Sequence, residues 1–270
     1  MSEGSAGYEW SLDSDAERQF ANRVPPLQGG AIDDTGMTPP KPSDLKTRAI
    51  SGVVMIATAL ALLWFGGVAF LIATIILGGL VFFEFSQLVD GFAKTNIGRL
   101  CWKMAGLVYV SLAIWALWQL RQHPPEGEDG FTSALSVLAI VWAVDIGAYF
   151  TGRTIGGPKI WPAISPSKTW SGLAGGVVGA TAVLVIVRLA TGAGFALQML
   201  PLSLLLGGFF AVIAQSGDFF ESWMKRKAGV KDSGTLIPGH GGVFDRVDGL
   251  LPVVIVAALL DIAVQTWFVA

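Results

Sequence analysis

Residues 196–216, ALQMLPLSLLLGGFFAVIAQS, carry no charge and pass directly into residues 217–249, GDFFESWMKRKAGVKDSGTLIPGHGGVFDRVDG. Wound as an α-helix, the first stretch is about 30 Å long, the thickness of a bilayer's hydrocarbon core. The helical period then predicts that the same helix continues. Asp218, Glu221, Ser222 and Lys225 stand at i, i+3, i+4 and i+7 and share one face, while Phe219, Phe220, Trp223 and Met224 take the opposite arc. The reading is a membrane span that emerges with its apolar side against protein or lipid and its carboxylates toward a polar cavity.

Working outward, six further apolar runs are long enough to span: Ile50–Phe65, Val68–Val89, Lys103–Leu120, Phe131–Thr151, Gly172–Ala190 and Leu250–Val269. Only Gly66-Gly67 separates the first two. The composition agrees, at 53% hydrophobic against 14% charged, roughly half the charge of a soluble domain. The expected fold class is therefore an all-α polytopic transmembrane helical bundle of about seven spans, or eight or nine with broken helices. Glycine pairs at Gly78-Gly79, Gly175-Gly176 and Gly207-Gly208 predict close helix–helix approach. Residues 1–44 differ from the rest, being rich in Gly, Pro, Asp and Ser, and read as a disordered cytoplasmic tail with one transient helix at Glu9–Phe20. The tail has no basic start before an apolar core, so it is not a signal peptide. Residues 45–270 form the expected transmembrane domain.

Basic residues fix the expected orientation. With the amino terminus inside, the inner segments hold Lys94, Arg99, Lys103, Arg153, Lys159, Lys168, Lys225, Arg226, Lys227, Lys231 and Arg246. The outer segments hold little beyond Arg121 and Arg188. A net charge of −2 argues against nucleic acid as a partner. The single cysteine, Cys101, allows no internal disulfide, and His123 and His240 are too few for a histidine metal cage.

The segment from Asp218 to Asp248 is dense in both acids and bases. The positive-inside rule accounts for Lys225-Arg226-Lys227 but not for carboxylates set at the membrane boundary. Hard oxygen ligands beside Lys and Arg suit a Mg²⁺–polyphosphate complex. The Pro238-Gly239-His240-Gly241-Gly242 loop is expected to open backbone N–H groups to an anion. A second cluster lies in the preceding inner segment. Asp145, Tyr149 and Gly152 share a helical face, and Ser165 to Thr169 supply hydroxyls and the Lys168 ammonium.

These residues resemble the phosphatidate cytidylyltransferases, the CDP-diacylglycerol synthases. The family pattern reads here as Ser222, Lys225-Arg226, Lys231-Asp232, Gly234, Pro238, His240-Gly241-Gly242, Asp245-Arg246 and Asp248, with no departure. The resemblance also takes in Asp145–Gly152, Ser165–Thr169 and Gly217-Asp218, and spans most of residues 48–270. It implies a Mg²⁺-dependent enzyme, with a second cation also in view, that joins CTP and phosphatidic acid to give CDP-diacylglycerol and pyrophosphate. It further implies a homodimer, and a multi-pass protein of a bacterial cytoplasmic (inner) membrane with its amino terminus and site loops cytoplasmic. The expected catalytic residues are Asp218, Asp245, Asp248 and Lys225. Asp218 and Asp245 are expected to share a metal site, with Asp248 and Glu221 beside them and Asp145 as a further cation ligand. Lys225, Arg226, Lys231 and Arg246 would hold the triphosphate or lipid head group, with Ser222 beside them. Ser165 and Lys168 would close over a phosphate, and His240 would touch substrate or brace its glycine turn.

Two acids in the spans remain. Glu84 is expected to reach the inner interface, and Asp261 lies deeper with no partner to name. Tryptophans such as Trp64 and Trp115 are read as interface and packing residues, with Trp170 and Trp223 near enough to the cluster to meet cytosine or lipid. Two rival functions fit parts of the pattern: an anion transporter, and a membrane cytidylyltransferase or lipid kinase with another acceptor. A transporter is disfavoured because no internal repeat is found and the polar residues gather at one face, away from the midplane.

Overall fold

The computed structural model describes residues 42–124, 129–192, 194, 196–237 and 241–266, with side chains from residue 50 onward. Residues 1–41 of the expected tail, and His240, lie outside the described residues; residues 42–44, expected as the end of the tail, begin the first helix. The chain from residue 43 onward forms one unit. It contains the helices α1 (Pro42–Phe65), α2 (Gly67–Phe92), α3 (Asn96–Gln122), α4 (Gly130–Thr154), α5 (Trp170–Ala190), α6 (Leu200–Ala228), the single turn α7 (Phe244–Val247) and α8 (Leu250–Val264). Between α4 and α5 lies a two-stranded antiparallel hairpin, β1 (Lys159–Trp161) and β2 (Ser165–Thr169).

Over the described residues, each apolar run of the sequence falls in a helix. The helices α2 to α6 are long and apolar enough to cross a bilayer, and Ile50–Phe65 and Leu250–Val264 are shorter apolar helices of the same bundle. Large apolar side chains such as Val53, Ile72, Ile76, Val108, Ile186 and Leu205 stand exposed around the bundle. In water such a surface would drive aggregation; lipid tails cover it. The interior is filled by Leu63, Phe85, Val110, Ala116, Val144, Ala211, Phe244 and Val254.

The tight α1–α2 turn is real. Gly66 and Gly67 both take positive φ, 60° and 54°, where other residues are strained. Arg121 of α3 closes it, its Nε donating to the Leu63 carbonyl at 2.9 Å and so satisfying an acceptor left over at a helix end. At the opposite end, α6 stops at Gly229, whose φ of 71° is the left-handed conformation of a helix stop.

The most extensive helix contact joins α4 and α5, whose backbones touch where side chains are smallest. A β-carbon on Gly147 would overlap the Gly175 carbonyl, and one on Gly175 would overlap Thr151. Thr151 Oγ1 bridges the pair, donating to the carbonyls of Gly147 at 2.8 Å and Ser171 at 3.0 Å. In each of the other two glycine pairs only one member is pressed against a neighbouring helix, Gly78 against Ile114 and Gly207 against Thr181; the space beside Gly79 is open.

Candidate active site

Three segments bring the acids and bases together: the carboxy-terminal half of α6, the hairpin strand β2, and the stretch around α7. The helix α6 runs unbroken through the span and on to Ala228, as its amphipathic period predicts. Its apolar arc meets protein. Phe220 packs on Tyr109 and Phe85, and Trp223 lies edge-on to Phe92 at 5.8 Å and against Trp102 at 5.7 Å. Trp223 is thereby tied into an aromatic cluster, while Trp170 is exposed. This packing turns Asp218, Glu221 and Lys225 inward.

Strand β2 carries Lys168 to α6, and the Lys168 ammonium bonds the Asp218 carboxylate directly. Pairing in the hairpin is irregular, with Lys159 opposite Thr169 and Trp161 opposite Ser165, so β2 spends two extra residues in the stretch that holds Lys168. Thr169 ends the strand and caps α5, its Oγ1 accepting the Gly172 N–H at 3.0 Å. Arg226 fixes the hairpin's other end, its Nε donating to the Ile164 carbonyl at 3.4 Å. Ser165 is buried within β2, and Ser222 is half-buried on α6.

Lys225 is the second hub. Its Nζ lies 2.5 Å from Glu221 and 2.6 Å from Asp245. Asp245 Oδ2 also accepts the N–H groups of Ser233 at 3.0 Å and Gly242 at 2.9 Å. Burial alone would raise the Asp245 carboxyl, but hydrogen bonding with Glu221, Lys225 and Gly242 outweighs it and holds the group well below the usual carboxylate range.

Asp218 and Asp245 were expected to share a metal site; the structure bonds Asp218 to Lys168 and Asp245 to Lys225, and it also brings Asp248 beside Asp218. The contact of α6 with the α7–α8 junction is backbone to backbone: a β-carbon on Gly217 would overlap the Asp248 carbonyl, and one on Gly249 would sit 2.9 Å from Asp218 Oδ1. Burial, and then the Asp218 charge, push the Asp248 carboxyl up to about 8. Asp145, exposed on α4, acts electrostatically on both Asp218 and Lys168. Burial would lower the Lys168 ammonium, but the charge and hydrogen bond of Asp218 and the charges of Asp145 and Asp248 outweigh it, so its pKa lies above the ordinary lysine value.

The cluster thus holds five carboxyl groups, Asp145, Asp218, Glu221, Asp245 and Asp248, against the ammonium groups of Lys168 and Lys225. One oxygen of Glu221 is buried without a partner. Excess negative charge and hard oxygen donors are what a divalent cation needs. As the side chains stand, no three His, Cys, Asp or Glu of the described residues close on one point. Mg²⁺ does not require that, because it keeps waters and takes substrate phosphates beside one or two carboxylates. The residues therefore fit such an ion.

Lys231 and Arg246 are exposed. Of the loop whose amides were expected to face an anion, Pro238 to His240 lie outside the described residues and the Gly242 amide is taken by Asp245; the Val243 and Phe244 amides that follow are taken by Glu84. Glu84 does not reach the interface but is 1% exposed inside the bundle. Asp261 accepts from Gln265 Nε2 at 2.9 Å. The sequence reading also passed over Tyr109, a half-buried phenol in α3 within electrostatic reach of Asp248. Its signal was a lone polar ring in an apolar run. Tyr109 lines an apolar cavity of about 350 Å³ with Phe85, Trp102, Gly217, Phe220 and Pro252.

Comparison with known proteins bears on what this arrangement does. The sequence pattern of the Cytidylyltransferase family matches residues 92–263, which contain all five carboxyl groups and both lysines. A phosphatidate cytidylyltransferase of Brucella suis is 38% identical over 261 residues, covering 81% of this chain and 92% of the relative. One from Rickettsia bellii is 32% identical, covering 77% and 87%. One from Bacillus subtilis is 43% identical over a shorter stretch, 45% of this chain and 44% of the relative. The chain therefore belongs to the phosphatidate cytidylyltransferase family.

Proposed function

We propose that this membrane protein transfers the cytidylyl group of CTP to phosphatidic acid, releasing pyrophosphate and forming CDP-diacylglycerol for phospholipid synthesis. The observation that carries the reading is the pair of lysine hubs, Lys168 with Asp218 and Lys225 with Glu221 and Asp245, at one end of an apolar bundle. A phosphate oxygen of the lipid attacks the α-phosphorus of CTP in line, and pyrophosphate leaves. The protein's part is positioning and charge neutralisation.

In the ligand-free protein each lysine is neutralised by carboxylates. An incoming triphosphate competes for Lys168 and Lys225, and each ammonium that turns to phosphate leaves a carboxylate uncompensated. Asp218 and Asp248 would hold Mg²⁺, with Asp245, Glu221 and Asp145 near enough to assist or to take a second cation. When bound, the ion neutralises phosphate charge and orients the triphosphate. Arg226, Lys231 and Arg246 would add positive charge for the triphosphate, and Ser165, Ser222 and His240 are the further residues proposed to meet substrate. The charge distribution supports a bacterial cytoplasmic membrane with the amino terminus and the site inside, where CTP is found. A homodimer is the expected assembly, and nucleic acid is not a partner.

The test is direct. Protein purified in detergent should release pyrophosphate and form CDP-diacylglycerol from CTP, phosphatidate and Mg²⁺. Replacing phosphatidate with diacylglycerol should abolish turnover, and chelating the metal should do the same. Phosphorylation of diacylglycerol, or solute uptake without pyrophosphate release, would overturn the proposal in favour of a kinase or a transporter.

A further inference from the structure

Glu84 lies in α2, outside the stretch that carries the family pattern, yet the stretch closes around it. Its Oε1 accepts the Val243 N–H at 3.0 Å. Its Oε2 accepts the Phe244 N–H at 2.8 Å and the Ser233 hydroxyl at 3.0 Å. Room for the carboxylate comes from two missing side chains. A β-carbon on Gly234 would overlap Glu84 Oε1, and one on Gly242 would stand 2.6 Å from Oε2.

The same two backbone stretches serve Asp245. Ser233 gives its hydroxyl to Glu84 and its amide to Asp245, while Gly242 gives its amide to Asp245 and the next two residues give theirs to Glu84. The two carboxylates interlock through Ser233–Gly234 and Gly242–Phe244, and Asp245 then meets Lys225 at 2.6 Å. A carboxylate is a costly way to fill a helical core, since burying it among neutral donors forfeits its hydration. Val81, Phe85, Leu88 and Val89 already supply the packing of α2. What Glu84 adds is several acceptor sites at one point, a set an apolar residue lacks.

We infer that Glu84 is a positioning residue for the transfer reaction: it pins the segment before α7 so that Asp245 is presented to Lys225 and Glu221. The inference rests on the reading of that segment as the CTP and metal site.

Glu84→Gln preserves shape but turns an N–H₂ group toward backbone donors. It should raise both the KM for CTP and the Mg²⁺ concentration for half-maximal activity at least tenfold. The KM for phosphatidate should stay within threefold. A purely structural role predicts fewer active molecules with unchanged constants. In ligand-free protein, trypsin cleavage after the exposed Lys231 should accelerate at least tenfold. Gly234→Ala attacks the same contact from the other side and should shift the same constants. Combined with Glu84→Asp, whose shorter side chain makes room for the methyl, it should recover at least fivefold over the product of the two single effects. CTP and Mg²⁺ constants within twofold of the parent in both Glu84→Gln and Gly234→Ala would overturn the inference. Should Glu84→Gln fail to insert, Gly234→Ala and its double variant decide between the two roles. If the parent protein makes no CDP-diacylglycerol, the functional reading fails, while the trypsin comparison still decides whether Glu84 pins the segment.

Discussion

Asp218 and Asp245 do different work although the motif presents them together. Asp218 is bonded to Lys168 and stands beside Asp248, whereas Asp245 is bonded to Lys225 and two backbone amides. Asparagine keeps the shape of either side chain and loses the charge. Asp218→Asn and Asp245→Asn should insert normally yet lose about three decades of turnover, on the order of 4 kcal/mol of barrier. Asp232→Asn, at an exposed position between them, should lose far less. Pyrophosphate release at saturating CTP and Mg²⁺ measures all three, and near-normal rates in the first two would refute the roles assigned to them. At this scale the sequence was informative about residue type and poor about partners. Spacing along a helix put Asp218, Glu221 and Lys225 on one face, but nothing local could say that the chain re-enters at Gly249, against Asp218, or that Glu84 lies within reach of residues some 160 positions later.

Helices were legible because a bilayer demands long uninterrupted apolar runs, and over the described residues each such run falls in a helix. The hairpin was not. Lys-Ile-Trp and Ser-Pro-Ser-Lys-Thr are too short and too polar to announce strands, and Pro166 argues against one. It exists because the link from α4 to α5 must fold back over α6, where Arg226 and Asp218 hold it. Helix contact at the site depends on the absence of side chains at Gly217 and Gly249. Gly217→Ala must push α6 from the Asp248 carbonyl, and overpacking of this kind costs about 1–3 kcal/mol. Its turnover per folded molecule should fall at least tenfold. Gly79→Ala, with open space around it, should leave turnover and thermal stability unchanged. Equal behaviour of the two variants would show that close approach at Gly217 is irrelevant to the site.

Taken whole, the molecule is an apolar bundle with its charged chemistry gathered at one end. The orientation proposed for it can be measured in a Cys101→Ser background. His123→Cys, exposed where α3 ends, should react with an impermeant maleimide on intact cells, and the exposed Lys227→Cys only after permeabilisation. The reverse pattern would place the site away from cytosolic CTP. Residues 1–40 are poor in apolar residues and rich in Gly and Pro, and they are proposed to lie outside the catalytic machinery. Deleting them should leave specific activity in detergent within a few-fold of the full chain; loss of most activity in a folded protein would make the segment part of the enzyme.

The interlock of Glu84 and Asp245 also constrains biogenesis. One half of it enters the membrane early, with α2, and waits unpaired while four further spans are synthesised and inserted. The contacts of Lys225 with Asp245, Glu84 with Phe244 and Gly249 with Asp218 all require residues that follow α6. Sequence-distant contacts of this kind form slowly and late. A ribosome stalled after α6 therefore leaves an integrated but catalytically blank bundle with an uncovered acid in its core. The site is complete only once the segment carrying α7 and α8 has packed against α2 and α6.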